Sequence, residues 1–211
     1  MDALRNPFWL LAIEDTSKVW QDRFIDTFQR YMDSNYQQAS DRDVGRFRDL
    51  ETYMKWRREN IGMWPSIILY ELDWDLPSEI YDHPLVQEIC TDATDMVIID
   101  NDIFSYNVEQ ARGDTDNILC VVMDEFSLDL QGALDWAGEK RQELASAFLS
   151  RLTSLPVLGE DYDRQIKGYL SAVGQAVAGN AHWSFESERY FGKAGAEIQK
   201  HRKFTLLPKK K

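Results

Sequence analysis

The sequence predicts an all-α chain, and two observations carry that prediction. Apolar residues recur at helical spacing over long stretches, as in Val19, Trp20, Phe24, Phe28, Tyr31 and Met32. Helix breakers, by contrast, fall between such stretches: Gly62 and Pro65, Pro77, Pro84, Gly113, Pro156 and Gly159. The central and longest of these stretches, 84–112, carries a polar stripe on an otherwise apolar helix.

Taken in order, residues 1–15 form a short apolar lead-in containing Pro7. Residues 16–36 read as an amphipathic helix that Thr16 or Ser17 can cap. The polar segment 37–46 reads as a loop, and 47–62 as a second helix with Phe47, Leu50, Tyr53, Met54 and Trp56 on its apolar side. That helix is expected to break at Gly62-Met63-Trp64-Pro65, because a proline at 65 deprives the Ile61 carbonyl of its partner and its ring crowds that carbonyl. A short helix then runs to about Leu72, followed by an acidic turn ending at Leu76-Pro77. His83-Pro84 opens the long helix, with His83 as a cap, and Gly113 closes it. Asp92 and Asp95 on this helix are assigned to solvent or to capping partners. Segments 115–126 and 129–154 are helical in period, with Asp124, Glu125 and Asp129 on the surface. Residues 155–159 connect to a last long helix from Tyr162 to about Phe185, whose small residues (Ala172, Gly174, Ala176, Ala178, Gly179) permit close packing. His182 reads as a packing or capping residue, and the tail Lys209-Lys210-Lys211 as disordered.

At 211 residues and 44% hydrophobic, the chain is long enough to bury one sizeable core. The net charge of −12 argues against nucleic acid as a partner. No apolar run approaches the roughly 20 residues that would cross a bilayer, so no stable membrane insertion is expected. No signal peptide is visible, and two cysteines, Cys90 and Cys120, provide no disulfide framework; both observations point to a cytoplasmic location.

The chemistry concentrates on the long helix. Asn101, Ser105 and Glu109 stand at i, i+4 and i+8, which makes one stripe about 12 Å long on a helix. An amide carbonyl, a hydroxyl and a carboxylate suit a hard cation such as Mg²⁺ rather than zinc. Arg112 follows one turn later, and a cation beside a guanidinium suggests an anionic, phosphate-bearing ligand.

The nonamer Asn101-Asp102-Ile103-Phe104-Ser105-Tyr106-Asn107-Val108-Glu109 resembles the second metal-binding motif of class I terpene synthases, (N/D)D(L/I/V)x(S/T)xxxE, at every defined position. The resemblance implies a class I isoprenoid (terpenoid) synthase helical bundle, with Asn101, Ser105 and Glu109 holding Mg²⁺. Two further segments support it. Arg57-Arg58-Glu59-Asn60-Ile61-Gly62 is similar to the family's helix break, which implies a diphosphate-sensing Arg58, a linker Ile61 and an effector carbonyl on Gly62. Arg189-Tyr190 lies 80 residues beyond Glu109 and is similar to the family's diphosphate-binding pair, while Trp183 matches the aromatic that faces the carbocation. With Arg112, these would form the diphosphate site. Asp114 matches the Gly-Asp that often ends the family's metal helix.

What the resemblance implies is a Mg²⁺-dependent cyclase that ionises a linear isoprenyl diphosphate, with farnesyl diphosphate and a sesquiterpene product favoured. The family's aspartate-rich motif, D(D/E)xx(D/E), has no acceptable copy upstream of the long helix. The expectation is therefore a single partial α-domain over 1–211 that lacks its N-terminal helices and exposes apolar faces. The alternative is an inactive helical fragment that at most binds Mg²⁺ and diphosphate.

Overall fold

The computed structural model describes residues 7–43, 48–74, 76–157 and 159–209. Among the described residues every regular element is a helix. They are α1 (Pro7–Glu14), α2 (Lys18–Asp43), α3 (Leu50–Asn60), α4 (Met63–Ile67), α5 (Ser78–Tyr81), α6 (Pro84–Arg112), α7 (Ile118–Glu125), α8 (Leu130–Thr153), α9 (Glu160–Glu186) and α10 (Gly195–His201). Two 3₁₀ segments, Ile68–Asp73 and Gly192–Ala194, fill the connections.

Local signals place most helix ends where the sequence put them. His83 Nδ1 accepts the Leu85 N–H, Pro84 takes the first helical position, and Gly113 ends α6 with φ +79°. Ser17 Oγ accepts the Trp20 N–H at the start of α2. Asp129 caps α8 through the Gly132 N–H, and Asp124, Glu125 and Asp129 are exposed as expected.

Four expectations need correction. The lead-in is helical over Pro7–Glu14, its proline at the first position. Residues 37–43 continue α2 rather than forming a loop; residues 44–47, Phe47 among them, lie outside the described residues. Polarity there reflects partners rather than a turn: Gln38 meets Asn60 on α3 and Asp116 in the connection before α7, each at 3.4 Å. The break after α3 is made by Gly62, not by Pro65. Gly62 adopts φ +78°, a left-handed conformation that reverses the helix, with its Cα against the Tyr31 ring. Pro65 sits in the first turn of α4, where an N–H has no helical acceptor to lose. Finally, Asp92 and Asp95 are buried, not solvated. Lys210 and Lys211 of the tail lie outside the described residues.

Helix α6 is the axis of the bundle. One side packs Ile89, Cys90, Ala93 and Val97 with Ile67, Tyr169, Leu170 and Val173. A second cluster gathers Ile99 with Tyr53, Ile118, Leu119, Ala133 and Ala137. A third joins Phe104 to Phe185 and Tyr190 at the C-terminal end of α9. Of the small residues on α9, Gly174 admits Phe148, whose ring would touch a Cβ there; Ala178 and Gly179 face outward. Along one face of α2, Ile25, Phe28, Met32 and Tyr36 are exposed. No helix among the described residues is long and apolar enough to cross a membrane.

Candidate metal and diphosphate site

The stripe on α6 is assembled from its own residues and from three neighbours. Asn101 is half-buried; its Oδ1 accepts from Arg57 Nη2 at 2.8 Å and its Nδ2 donates to the Tyr190 hydroxyl at 2.8 Å. Ser105 is buried, and its Oγ has no hydrogen-bond partner among the described residues. Glu109 Oε2 accepts from Asn117 Nδ2 at 2.9 Å. Burial pushes the Glu109 carboxyl above the usual range; the Asn117 bond and the nearby Ser105 hydroxyl work in the opposite direction. An orphaned buried hydroxyl between an amide and a carboxylate is costly unless something else uses it. The donor set fits one hard divalent cation, with its remaining positions filled by water or by ligand oxygens. Among the described residues no three His, Cys, Asp or Glu side chains are grouped to hold a metal.

Asp102, inside the nonamer, is not part of the stripe. It is 1% exposed and takes bonds from Arg57 Nη2 at 2.8 Å, the Tyr53 hydroxyl and the Ile118 N–H at 2.9 Å. It therefore ties α3 and α7 to α6. Arg57 is buried; burial opposes its charge, and Asp102 beside it more than compensates, raising its pKa further.

Tyr190 is buried, with its ring 6.4 Å from Phe104 and 6.2 Å from Trp183. Because its hydroxyl accepts from Asn101, its own O–H remains free to donate. Burial raises the Tyr190 pKa, against which Arg189 and the Asn101 bond act. Arg189 is exposed and lies 5.3 Å over the Tyr190 ring. Trp183 is 47% exposed beside them. Arg112, the last residue of α6, is exposed on the same side of the helix and makes no ion pair among the described residues. So the structure brings Asn101, Ser105, Glu109 and Tyr190 together, with Arg189 and Trp183 at their edge.

Arg58 and Gly62 stand apart from this group. Arg58 grips Asp95 with two bonds of 2.7 and 2.8 Å, and that pairing raises its pKa. Asp95 precedes Asn101 by six residues, about 9 Å along the helix axis. Arg58 lines a cavity of about 540 Å³ shared with Arg23, Arg30, Glu59, Trp64 and Tyr81. The Gly62 carbonyl accepts from Ser66 Oγ at 2.8 Å. His182 is exposed within α9, 3.5 Å from Glu186, so it neither packs nor caps as the sequence suggested. Cys90 and Cys120 are free thiols; burial pushes them up to about 12 and about 11, which leaves them unreactive.

Two residues of the assembly were not anticipated. Neighbours on a helix point about 100° apart, so only one of Arg57 and Arg58 can face the stripe, and spacing alone does not say which. Asn117 did carry a signal: it precedes the apolar run Ile118-Leu119, the place of an N-cap, and its Oδ1 accepts the Leu119 N–H at 2.9 Å.

The comparisons with known proteins agree with this geometry. A family model described as terpene synthase family 2, C-terminal metal binding, matches residues 2–146. The chain is 43% identical to a Delta(6)-protoilludene synthase of Stereum hirsutum over 99% of its length and 62% of the relative's. It is 44% identical to Delta(6)-protoilludene synthase 8 of Postia placenta, over 96% of this chain and 59% of that one. The chain thus spans about three-fifths of the length of these relatives. Among solved structures, an a-eudesmol synthase superposes with a TM-score of 0.79 at 21% identity, covering 86% of this chain and 60% of that one. A linalool/nerolidol synthase from Streptomyces clavuligerus gives 0.78 at 20% identity, covering 83% and 63%. The fold is that of a class I terpene synthase helical bundle. With a matching family model over most of its length, the chain belongs to the family described as terpene synthase family 2, C-terminal metal binding.

Proposed function

We propose that residues 1–211 form one partial α-domain of a Mg²⁺-dependent sesquiterpene cyclase acting on farnesyl diphosphate, at work in the cytoplasm. The observation that carries this reading is the bond from Asn101 Nδ2 to the Tyr190 hydroxyl. It joins two motifs that lie far apart in sequence, one suited to a cation and one to phosphate oxygens. The protoilludene and other sesquiterpene synthase names of the relatives support the reaction class.

Asn101, Ser105 and Glu109 would hold Mg²⁺, which when bound neutralises charge growing on a departing diphosphate. The free O–H of Tyr190 and the planar fork of Arg189 then bind phosphate oxygens, and Arg112 adds charge one turn beyond Glu109. Arg58 exchanges Asp95 for the diphosphate, and the Gly62 carbonyl, released from Ser66, directs its negative end toward the allylic cation. The Trp183 face stabilises that cation by cation–π attraction.

Incubation of the chain with farnesyl diphosphate and Mg²⁺, followed by headspace analysis and an assay for released diphosphate, tests the reading. A cyclic sesquiterpene is expected. Diphosphate binding without any release would instead favour an inactive helical fragment.

A further inference from the structure

We propose that Arg57 is the positioning residue of the cation stripe: one of its nitrogens fixes the Asn101 amide so that the oxygen end is presented beside Ser105 and Glu109. This rests on the reading of that stripe as a cation site. The two ends of an asparagine amide have nearly the same shape, and only its partners decide which end points where. The Tyr190 hydroxyl can donate or accept, so it tolerates either end. A guanidinium has donors only, so it tolerates the oxygen alone. Arg57 Nη2, 2.8 Å from Asn101 Oδ1, therefore sets the orientation, and the amide oxygen keeps a second lone pair for a cation.

The guanidinium is itself held. The same Nη2 meets Asp102 Oδ1 at 2.8 Å, and Nη1 donates to Asn60 Oδ1 at 3.0 Å. The Asp102 carboxylate also offsets the guanidinium charge, which limits its repulsion of an incoming divalent ion. Lysine would keep a charge against Asp102, but a single ammonium lacks the fork that spans three acceptors.

The test titrates Mn²⁺, visible by electron paramagnetic resonance, into the full chain with inorganic diphosphate present. Arg57→Lys is expected to weaken Mn²⁺ retention about tenfold, the size of effect seen when an outer partner of a metal ligand is lost. The decisive comparison repeats that change in an Asn101→Asp background. A carboxylate has no wrong end, so there Arg57→Lys should cost less than about threefold. Equal losses in the two backgrounds would make Arg57 merely structural and overturn the proposal. An Arg57→Lys chain that retains Mn²⁺ like the parent, while Glu109→Ala does not, also overturns it and leaves the cation site standing. If the parent and Glu109→Ala bind alike, the cation site falls and the proposal with it. Should Arg57→Lys fail to fold, Asn60→Ala loosens the guanidinium without removing the Asp102 pair. About a threefold loss is expected with Asn101 and none in the Asn101→Asp background; equal losses overturn the proposal.

Discussion

Helix α6 carries six acids, and the last of them is placed differently from the other five. Glu88 and Asp92 meet Arg151, Asp95 meets Arg58, Asp100 meets Arg141 and Asp102 meets Arg57. Glu109, one turn from the C-terminal end, accepts instead from the neutral amide of Asn117 and makes no ion pair among the described residues. Five acids pair with arginines of neighbouring elements; the sixth is half-buried without an ion pair among the described residues. A partly desolvated carboxylate without an opposite charge costs the fold stability.

The comparison breaks most sharply at its most buried pair. Asp102→Ala strands Arg57 and should cost about 3–5 kcal/mol of stability, read by chemical denaturation. Glu109→Gln should do the reverse: stability within about 1 kcal/mol of the parent, but divalent-cation retention reduced at least about tenfold. A large loss of stability there would place Glu109 among the structural acids. Asp95→Asn, whose partner Arg58 is a third exposed, should cost only about 1 kcal/mol.

The smallest effect is in pH. The Glu109 carboxyl is raised above its ordinary 4.5 in the fold, mainly by burial. Its contribution is therefore fully present below the unfolded value and is lost as pH rises through the higher folded one. Glu109→Gln removes that dependence, so the parent should lose stability relative to the variant over this window. Asp92 and Asp100 are also raised by burial, which makes the difference between parent and variant the quantity to measure.

Legibility in the sequence followed how local each cause was. Both ends of α6 could be read because Pro84, His83 and Gly113 act on backbone within one turn. The cation stripe could be read because Asn101, Ser105 and Glu109 share one helix. The reach of α2 to Asp43 could not, because Gln38 finds its partners on α3 and near α7. The break at Gly62 was located but ascribed to Pro65, since a ring's missing N–H is visible in a sequence whereas a φ angle is not. Helix α10, seven residues over Gly195–His201, was too short to show a period.

By itself, then, the amino-acid order determined the all-α class, the span of the central helix and the three oxygen donors on its face, each a matter of periodicity or of a neighbour four residues away. Tertiary structure alone decided which arginine serves which acid, and that Tyr190 closes on Asn101. Those choices depend on how helices rotate against one another, and a rotation of 100° exchanges Arg57 for Arg58 without altering a single local preference.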